Sequence, residues 1–248
     1  MMSETPANGA AHRLPLFYNR LEPLHVERHA ALALHQAGYG FAKDATGIPL
    51  AAEEFGMAAR SLPIVFAPQA PFMPIALLAL TPGQSHAVTA DGHWQQGVYV
   101  PAYIRRYPFL LARTSEGSEE MALCVDPTAA AFSGEGGEKL FADGRPAPVT
   151  DRALQFSRDF EVAMQRTRAM VEALTAAELL QPGVVQFHIN GQPRRVDGFR
   201  AVDRQRLAKL EAARFLELRD RGYLEPIYAH LVSIGGVPEL ARETQLQG

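Results

Sequence analysis

The sequence predicts an α+β fold: a largely antiparallel β-sheet built from hairpins in the first half, with helices from the second half packed on it. Three observations carry this. Short apolar runs bounded by Pro and Gly dominate the chain before residue 126. Turn signals at Asp91-Gly92, at the polar segment Thr114 to Glu119 and at Asn190-Gly191 join neighbouring runs into hairpins. The one long 3.6-residue periodicity comes after residue 149. A wound parallel sheet would alternate strand and helix patterns along the whole chain, and this sequence does not.

Composition bounds the rest. With 248 residues, 47% of them hydrophobic and 21% charged, the chain is ordinary globular material with enough apolar mass for a sizeable core. One α+β domain over residues 14–240 is expected, with flexible tails at 1–13 and 241–248. The net charge of −3 lacks the basic excess of a nucleic-acid binder, so no nucleic-acid partner is expected. Cys124 is the single cysteine, which excludes an intrachain disulfide. It sits in the apolar run Met121 to Val125 and reads as a small buried hydrophobe. The N-terminus shows no basic region followed by an apolar one, and no stretch has eighteen apolar residues in a row. Cytoplasmic residence without a transmembrane segment is the expectation.

In order, Leu14 to Leu24 is interrupted by Pro15 and Pro23 and reads as an edge strand or extended segment. Ala30 to Leu34 reads as a strand and Gly40 to Ala42 as a short extended piece. Pro49 fits the first position of a helix over Leu50 to Arg60, with Glu53 and Glu54 at its positive end. Pro63 to Phe66 and Ile75 to Leu80 read as buried strands. His86 to Thr89 and His93-Trp94 flank Asp91-Gly92 as a hairpin with a type I′ turn. Phe109 to Arg113 and Glu120 to Val125 form a second hairpin. Residues 126–150 are loop-rich.

Thr150 to Leu174 is the clearest helix: Phe156, Phe160, Met164, Thr167, Val171 and Leu174 share one face, and core packing explains the stripe. Thr175 to Glu178 is a capping-box pattern for a further short helix ended by Gln181-Pro-Gly183. Val184 to Ile189 and Arg194 to Val202 form a third hairpin. Asp203 caps a helix reaching about Arg221, and Gly222 stops it. A last apolar segment spans Tyr223 to Ile234.

Chemical motifs are few. His25 and His29 stand four apart, a spacing that puts both on one helix face, but no third ligand is identifiable and no metal site is expected. There is no Gly-x-Ser-x-Gly elbow, and the glycines of 133–137 lack the Lys-Ser/Thr of a phosphate loop, so no cofactor is expected. Glu53-Glu54 and Glu119-Glu120 read as solvated turns or helix ends. The segment Gly97 to Arg113 stands apart. It holds three Tyr, one Phe, two Pro and three Arg without a single acid, and Trp94, the only Trp, precedes it. Arg stacks on aromatic faces and forks onto carboxylates or phosphates. Trp94, Tyr99, Tyr103, Arg105, Arg106 and Tyr107 are therefore the candidate ligand-binding residues. On an extended strand, Arg105 and Arg106 would point to opposite sides.

Several segments together resemble the bacterial SapC family: Leu62 to Phe66, Gly92 to Trp94, Tyr99 to Phe109, Leu123 to Asp126, Gly137 to Phe141 and Gly222 to Ser233. The Tyr-Ile-Arg-Arg-Tyr-Pro-Phe core is the most specific of them, and the likeness runs from about Leu14 to Leu240. The family is named for a surface-array locus. The resemblance therefore implies an association with surface layers and a possible cell-surface location, without assigning an activity or catalytic residues. The expected function is a non-catalytic binding or accessory protein contacting an anionic ligand or protein partner. Two alternatives stand beside it. One is an enzyme whose site assembles from His29, Arg105, Asp126 and His230; the other is a self-assembling surface-layer component, a homo-oligomer.

Overall fold

The computed structural model describes residues 14–113, 120–134 and 136–246. The expected tail 1–13 and the hairpin tip Thr114 to Glu119 lie outside them. The chain begins with β1 (Glu22–Pro23), α1 (Val26–His29) and β2 (Ala33–Leu34). Then come β3 (Gly47–Pro49), α2 (Phe55–Ala58), β4 (Ile64–Phe66), β5 (Pro74–Leu77) and α3 (Ala102–Arg105). A hairpin of β6 (Phe109–Arg113) and β7 (Met121–Val125) follows. Three two-residue strands, β8 (Glu138–Lys139), β9 (Phe141–Ala142) and β10 (Arg145–Pro146), lead to the long helix α4 (Pro148–Ala176). The hairpin β11 (Leu180–Ile189) and β12 (Gln192–Val202) precedes α5 (Arg204–Ala208), α6 (Ala212–Asp220), α7 (Leu224–Ser233) and α8 (Val237–Leu246).

Among the described residues every strand pairing is antiparallel and the longer helices gather in the second half, the α+β arrangement expected. The larger sheet has the order β11-β12-β4-β5-β3 and the smaller β1-β7-β6. Pro49 and Pro23 fall on the outer strands β3 and β1, where a missing N–H breaks no ladder. Asn190 and Gly191 both have positive φ, the type I′ turn expected between β11 and β12. Gly183 pairs with Phe199, and a Cβ there would stand 2.2 Å from the Phe199 ring, so only glycine lets β11 lie flat against β12.

Two apolar clusters form. The larger joins β4 and β5 to α2, α4 and α7, and contains Leu62, Ile64, Phe66, Phe160, Met164, Met170 and Leu174. Burying each of these large side chains stabilises by roughly 1.5–3 kcal/mol. The smaller lies under β6 and β7 and contains Phe109, Leu123, Val125, Leu140 and Val149, with Leu154 against it. Helix α4 serves both, its first turns in the smaller cluster and the rest in the larger. Cys124 is a buried free thiol whose pKa burial pushes up.

Several local expectations are corrected. The helix assigned to Leu50–Arg60 starts later, with a 3-10 turn at Ala52–Glu54 and then α2, because Pro49 ends a strand instead of opening a helix. Gly40–Ala42 is a 3-10 turn, not extended. The strand expected over Ala30 to Leu34 is confined to Ala33–Leu34 and follows the short helix Val26–His29. Thr175 starts no helix: its Oγ donates to the Val171 carbonyl inside α4, Glu178 adopts φ 54°, and β11 begins at Leu180. The helix after Asp203 breaks between Ala208 and Ala212, although Asp203 caps it as expected by accepting from the Gln205 and Arg206 amides. Helix α8 runs from Val237 to Leu246. The Asp91-Gly92 turn is a three-residue loop with positive φ at Gly92 alone, closed by one bridge between Val88 and Trp94.

Candidate functional site

The segment expected to be an extended strand is helical at its centre. Pro101, at φ −61° and ψ 151°, is the N-cap of α3, and Ile104 and Arg105 donate to its carbonyl. The first helical N–H has no intrahelical acceptor. Glu54, from 48 residues upstream, supplies one: its Oε1 accepts from the Ala102 amide at 2.7 Å and from the Tyr99 hydroxyl at 3.0 Å. Its Oε2 accepts from the Ala51 amide at 3.1 Å. Glu54 is buried, against the solvated position the sequence suggested, whereas Glu53 is exposed and pairs with Arg166.

The helical turn separates the two arginines by about 100° instead of placing them on opposite faces. Arg106 turns inward. Its guanidinium carbon lies 4.1 Å from the centre of the Tyr103 ring and 4.6 Å from that of Phe160, and its Nη1 is 4.0 Å from Glu161. It is buried and its Nε has no hydrogen-bond partner. Tyr103 is buried with it, donating to the Leu16 carbonyl at 3.3 Å. Arg105 stays at the surface, its side chain 44% exposed. Its Nε donates to the Val100 carbonyl at 3.0 Å and its Nη2 to the Tyr99 hydroxyl at 3.4 Å, while Glu54 stands 4.0 Å away. Burial and the neighbouring Glu54 carboxylate raise the Tyr99 pKa, so the phenol stays protonated and can donate.

Beside Arg105 opens a cleft of about 590 Å³. One wall is the loop from Leu34 to Phe41, the second is the turn at Asp91-Gly92, and the third comprises Ile104, Arg105 and Tyr107, with Ala130 and Ala131 closing one end. The loop docks on the turn by backbone contact. The Tyr39 amide donates to the Gly92 carbonyl at 2.6 Å, and a Cβ on Gly38 would come within 2.8 Å of that oxygen. Aromatic side chains furnish the walls: Phe41 and Tyr107 have centroids 4.4 Å apart, and Trp94 stands edge-on to Tyr39 at 5.3 Å. Trp94 is fixed by its indole N–H donating to the Val98 carbonyl at 3.1 Å. The Tyr107 pKa is raised by burial and then by Asp126.

Of the six residues singled out in the sequence, Arg105 and Tyr107 line the cleft, Trp94 backs its wall through Tyr39 and Tyr99 orients Arg105. Tyr103 and Arg106 pack inward against α4. The loop 34–41, Asp91 and Glu54 were not singled out; the Gly38-Tyr-Gly-Phe41 alternation of small and aromatic residues is the signal that marks the loop.

The residues of the enzyme alternative do not meet in this cleft. His230 accepts from the Val202 amide at 3.0 Å and contacts the Ile64 carbonyl at 2.8 Å, tying α7 to the larger sheet. Asp126, at the end of β7, accepts from the Asn19, Arg20 and Thr128 amides and from the Thr128 hydroxyl. His29 accepts from the His25 amide at 3.0 Å and faces Glu22 at 3.4 Å. Of the four, only Arg105 lines the cleft. Among the described residues no group of three or more His, Cys, Asp or Glu is placed to hold a metal ion.

In comparison with known proteins, a family model described as SapC matches residues 24–240. No curated protein and no solved structure matches the chain.

Proposed function

The chain belongs to the SapC family, and from that premise we propose that it is a non-catalytic accessory protein that holds a small anionic ligand in the cleft beside α3. The observation that carries the reading is the state of Arg105. Among the described residues lining the cleft it is the one Arg or Lys, it is exposed, and its two hydrogen bonds leave three of the five guanidinium donors unspent. The volume falls in the range of small-molecule sites, about 300–1,000 Å³. Glu54, Tyr99 and the Val100 carbonyl hold the guanidinium in place before anything binds, which lowers the ordering cost of capture. The association with surface layers that the resemblance implies makes an envelope-linked ligand or carrier part of this reading. No helix among the described residues is long and apolar enough to cross a membrane.

The test is calorimetric titration with small anions, in the wild type and in Arg105→Gln. Heat that saturates in the wild type and falls at least tenfold in affinity in the variant supports the reading. Equal binding by both, or none by either, ends it.

A second reading, self-assembly, is favoured by the outer face of α7, where Val232 is 72% and Tyr228 50% exposed. Exposed apolar side chains four residues apart on a helix suit a contact between copies. Sedimentation at rising concentration should then show oligomers that Val232→Lys abolishes; a concentration-independent monomer removes it.

A further inference from the structure

Resting on the binding reading above, we infer that the ligand class is a planar, aromatic monocarboxylate. The walls decide the body of the ligand. Tyr39, Phe41 and Tyr107 bring aromatic side chains to the cleft, and Ile104 adds aliphatic surface. Such walls favour a rigid ring, which buries area with little loss of internal freedom and meets the aromatic side chains edge-on or offset.

The charges decide the head group. Arg105 offers the terminal edge formed by Nη1 and Nη2, a fork that matches two carboxylate oxygens. Glu54 already stands 4.0 Å from that guanidinium, so part of its field is neutralised from behind. Asp91 also lines the cleft, its side chain 70% exposed and 3.6 Å from His93, and it disfavours a second negative charge there. The Asp91 carboxyl is held below its usual pKa chiefly by the Thr89 hydroxyl, so it stays charged at neutral pH. Against one shared cation and the Asp91 carboxylate, a dianion such as phosphate adds twice the negative charge of a monocarboxylate, so the monoanion is the less disfavoured head group. An aliphatic carboxylate satisfies Arg105 but gains less from the rings.

The protein carries its own reporter. Trp94 is the only tryptophan and stands edge-on to Tyr39, a cleft residue. Titrating the full chain with 2-naphthoate and following the heat and the Trp94 emission should give matching saturable curves. 2-Naphthamide, octanoate and inorganic phosphate should each bind at least tenfold more weakly. Arg105→Gln should remove the preference for naphthoate over naphthamide while leaving the weak binding of the ring. Gly40→Leu adds bulk at a cleft-lining position while keeping Arg105; its Cβ meets nothing within 4 Å, and its loss of naphthoate binding with an unchanged melting temperature would place the ring in this cleft. If phosphate or octanoate binds as tightly as naphthoate, the ligand class is wrong while the anion site stands. If naphthamide equals naphthoate, or Gly40→Leu binds normally, the inference fails. If no anion binds at all, the reading beneath it fails as well.

Discussion

The carboxylate of Glu54 caps a helix 48 residues away, accepting from the Ala102 amide at 2.7 Å, and the same oxygen accepts from the Tyr99 hydroxyl at 3.0 Å. One buried oxygen thereby joins the turn before α2 to the segment that presents Arg105. Glu54→Gln keeps the shape but turns one acceptor into a donor facing N–H or O–H groups. It should cost about 1–3 kcal/mol, seen as a lower denaturant midpoint at unchanged m-value.

The two adjacent arginines should behave differently. Arg106→Ala empties a space between Tyr103 and Phe160 and should destabilise by about 2–4 kcal/mol. Arg106→Met keeps most of the packing and should cost less, since replacing a buried ion by an apolar side chain is often tolerated. Arg105→Ala should stay within about 1 kcal/mol, because its contacts lie at the surface. Chemical denaturation of the three variants checks the order, and equal losses for Arg105→Ala and Arg106→Ala would contradict it.

Acid should weaken the fold through His230. Burial lowers its pKa from the ordinary 6.5 to about 4, the Ile64 carbonyl opposing this in part. Between those values the unfolded chain binds the proton and the folded chain does not. The stabilisation is whole above pH 6.5 and is lost as pH falls towards 4, by about 3 kcal/mol in all. His230→Gln should lower stability at pH 7 yet flatten the slope in that window, as measured by urea titrations from pH 7.5 to 4.

Asp126 acts lower on the scale. Burial alone would raise its pKa, but hydrogen bonds from the Thr128 hydroxyl and from the Asn19, Thr128 and Arg20 amides outweigh this and hold it below the usual value. Its contribution is present above the ordinary aspartate pKa and disappears as pH falls through the folded one. Asp126→Ala leaves those donors unanswered and should cost about 1–3 kcal/mol at neutral pH, measured by thermal or urea unfolding.

Gly38→Ala should damage the cleft more than the fold. Its Cβ would meet the Gly92 carbonyl at 2.8 Å, forcing the loop off the turn. A changed Trp94 emission with a small change in melting temperature is the expected signature.

The sequence was readable where one physical rule acted locally. The stripe from Phe156 to Leu174 became the buried face of α4, and Asn190-Gly191 became the turn it encodes. It was unreadable where a distant residue decided the outcome. Tyr99 to Tyr107 looks extended because Pro101 and Pro108 bracket aromatics, yet Glu54 caps a helical turn inside it. That cap sends Arg106 into the core and leaves Arg105 at the surface, a difference two identical side chains cannot announce. Thr175 to Glu178 satisfies a capping rule, but the sheet claims Leu180 onward and the pattern goes unused. The cleft was half legible: its arginine and Tyr107 stood out, whereas the loop 34–41 joins it through long-range contacts, among them the Tyr39 amide on Gly92 and the Phe41 ring on Tyr107.

Helix α4 lends its first turns to the packing beneath β6 and β7 and the remainder to the packing beneath β4 and β5. A rigid rod anchored at both ends makes the two regions thermodynamic partners: neither can come apart without stripping neighbours from the other. Heating should accordingly give one sharp calorimetric peak, and a proline midway along the rod, at Ala163, should split it in two.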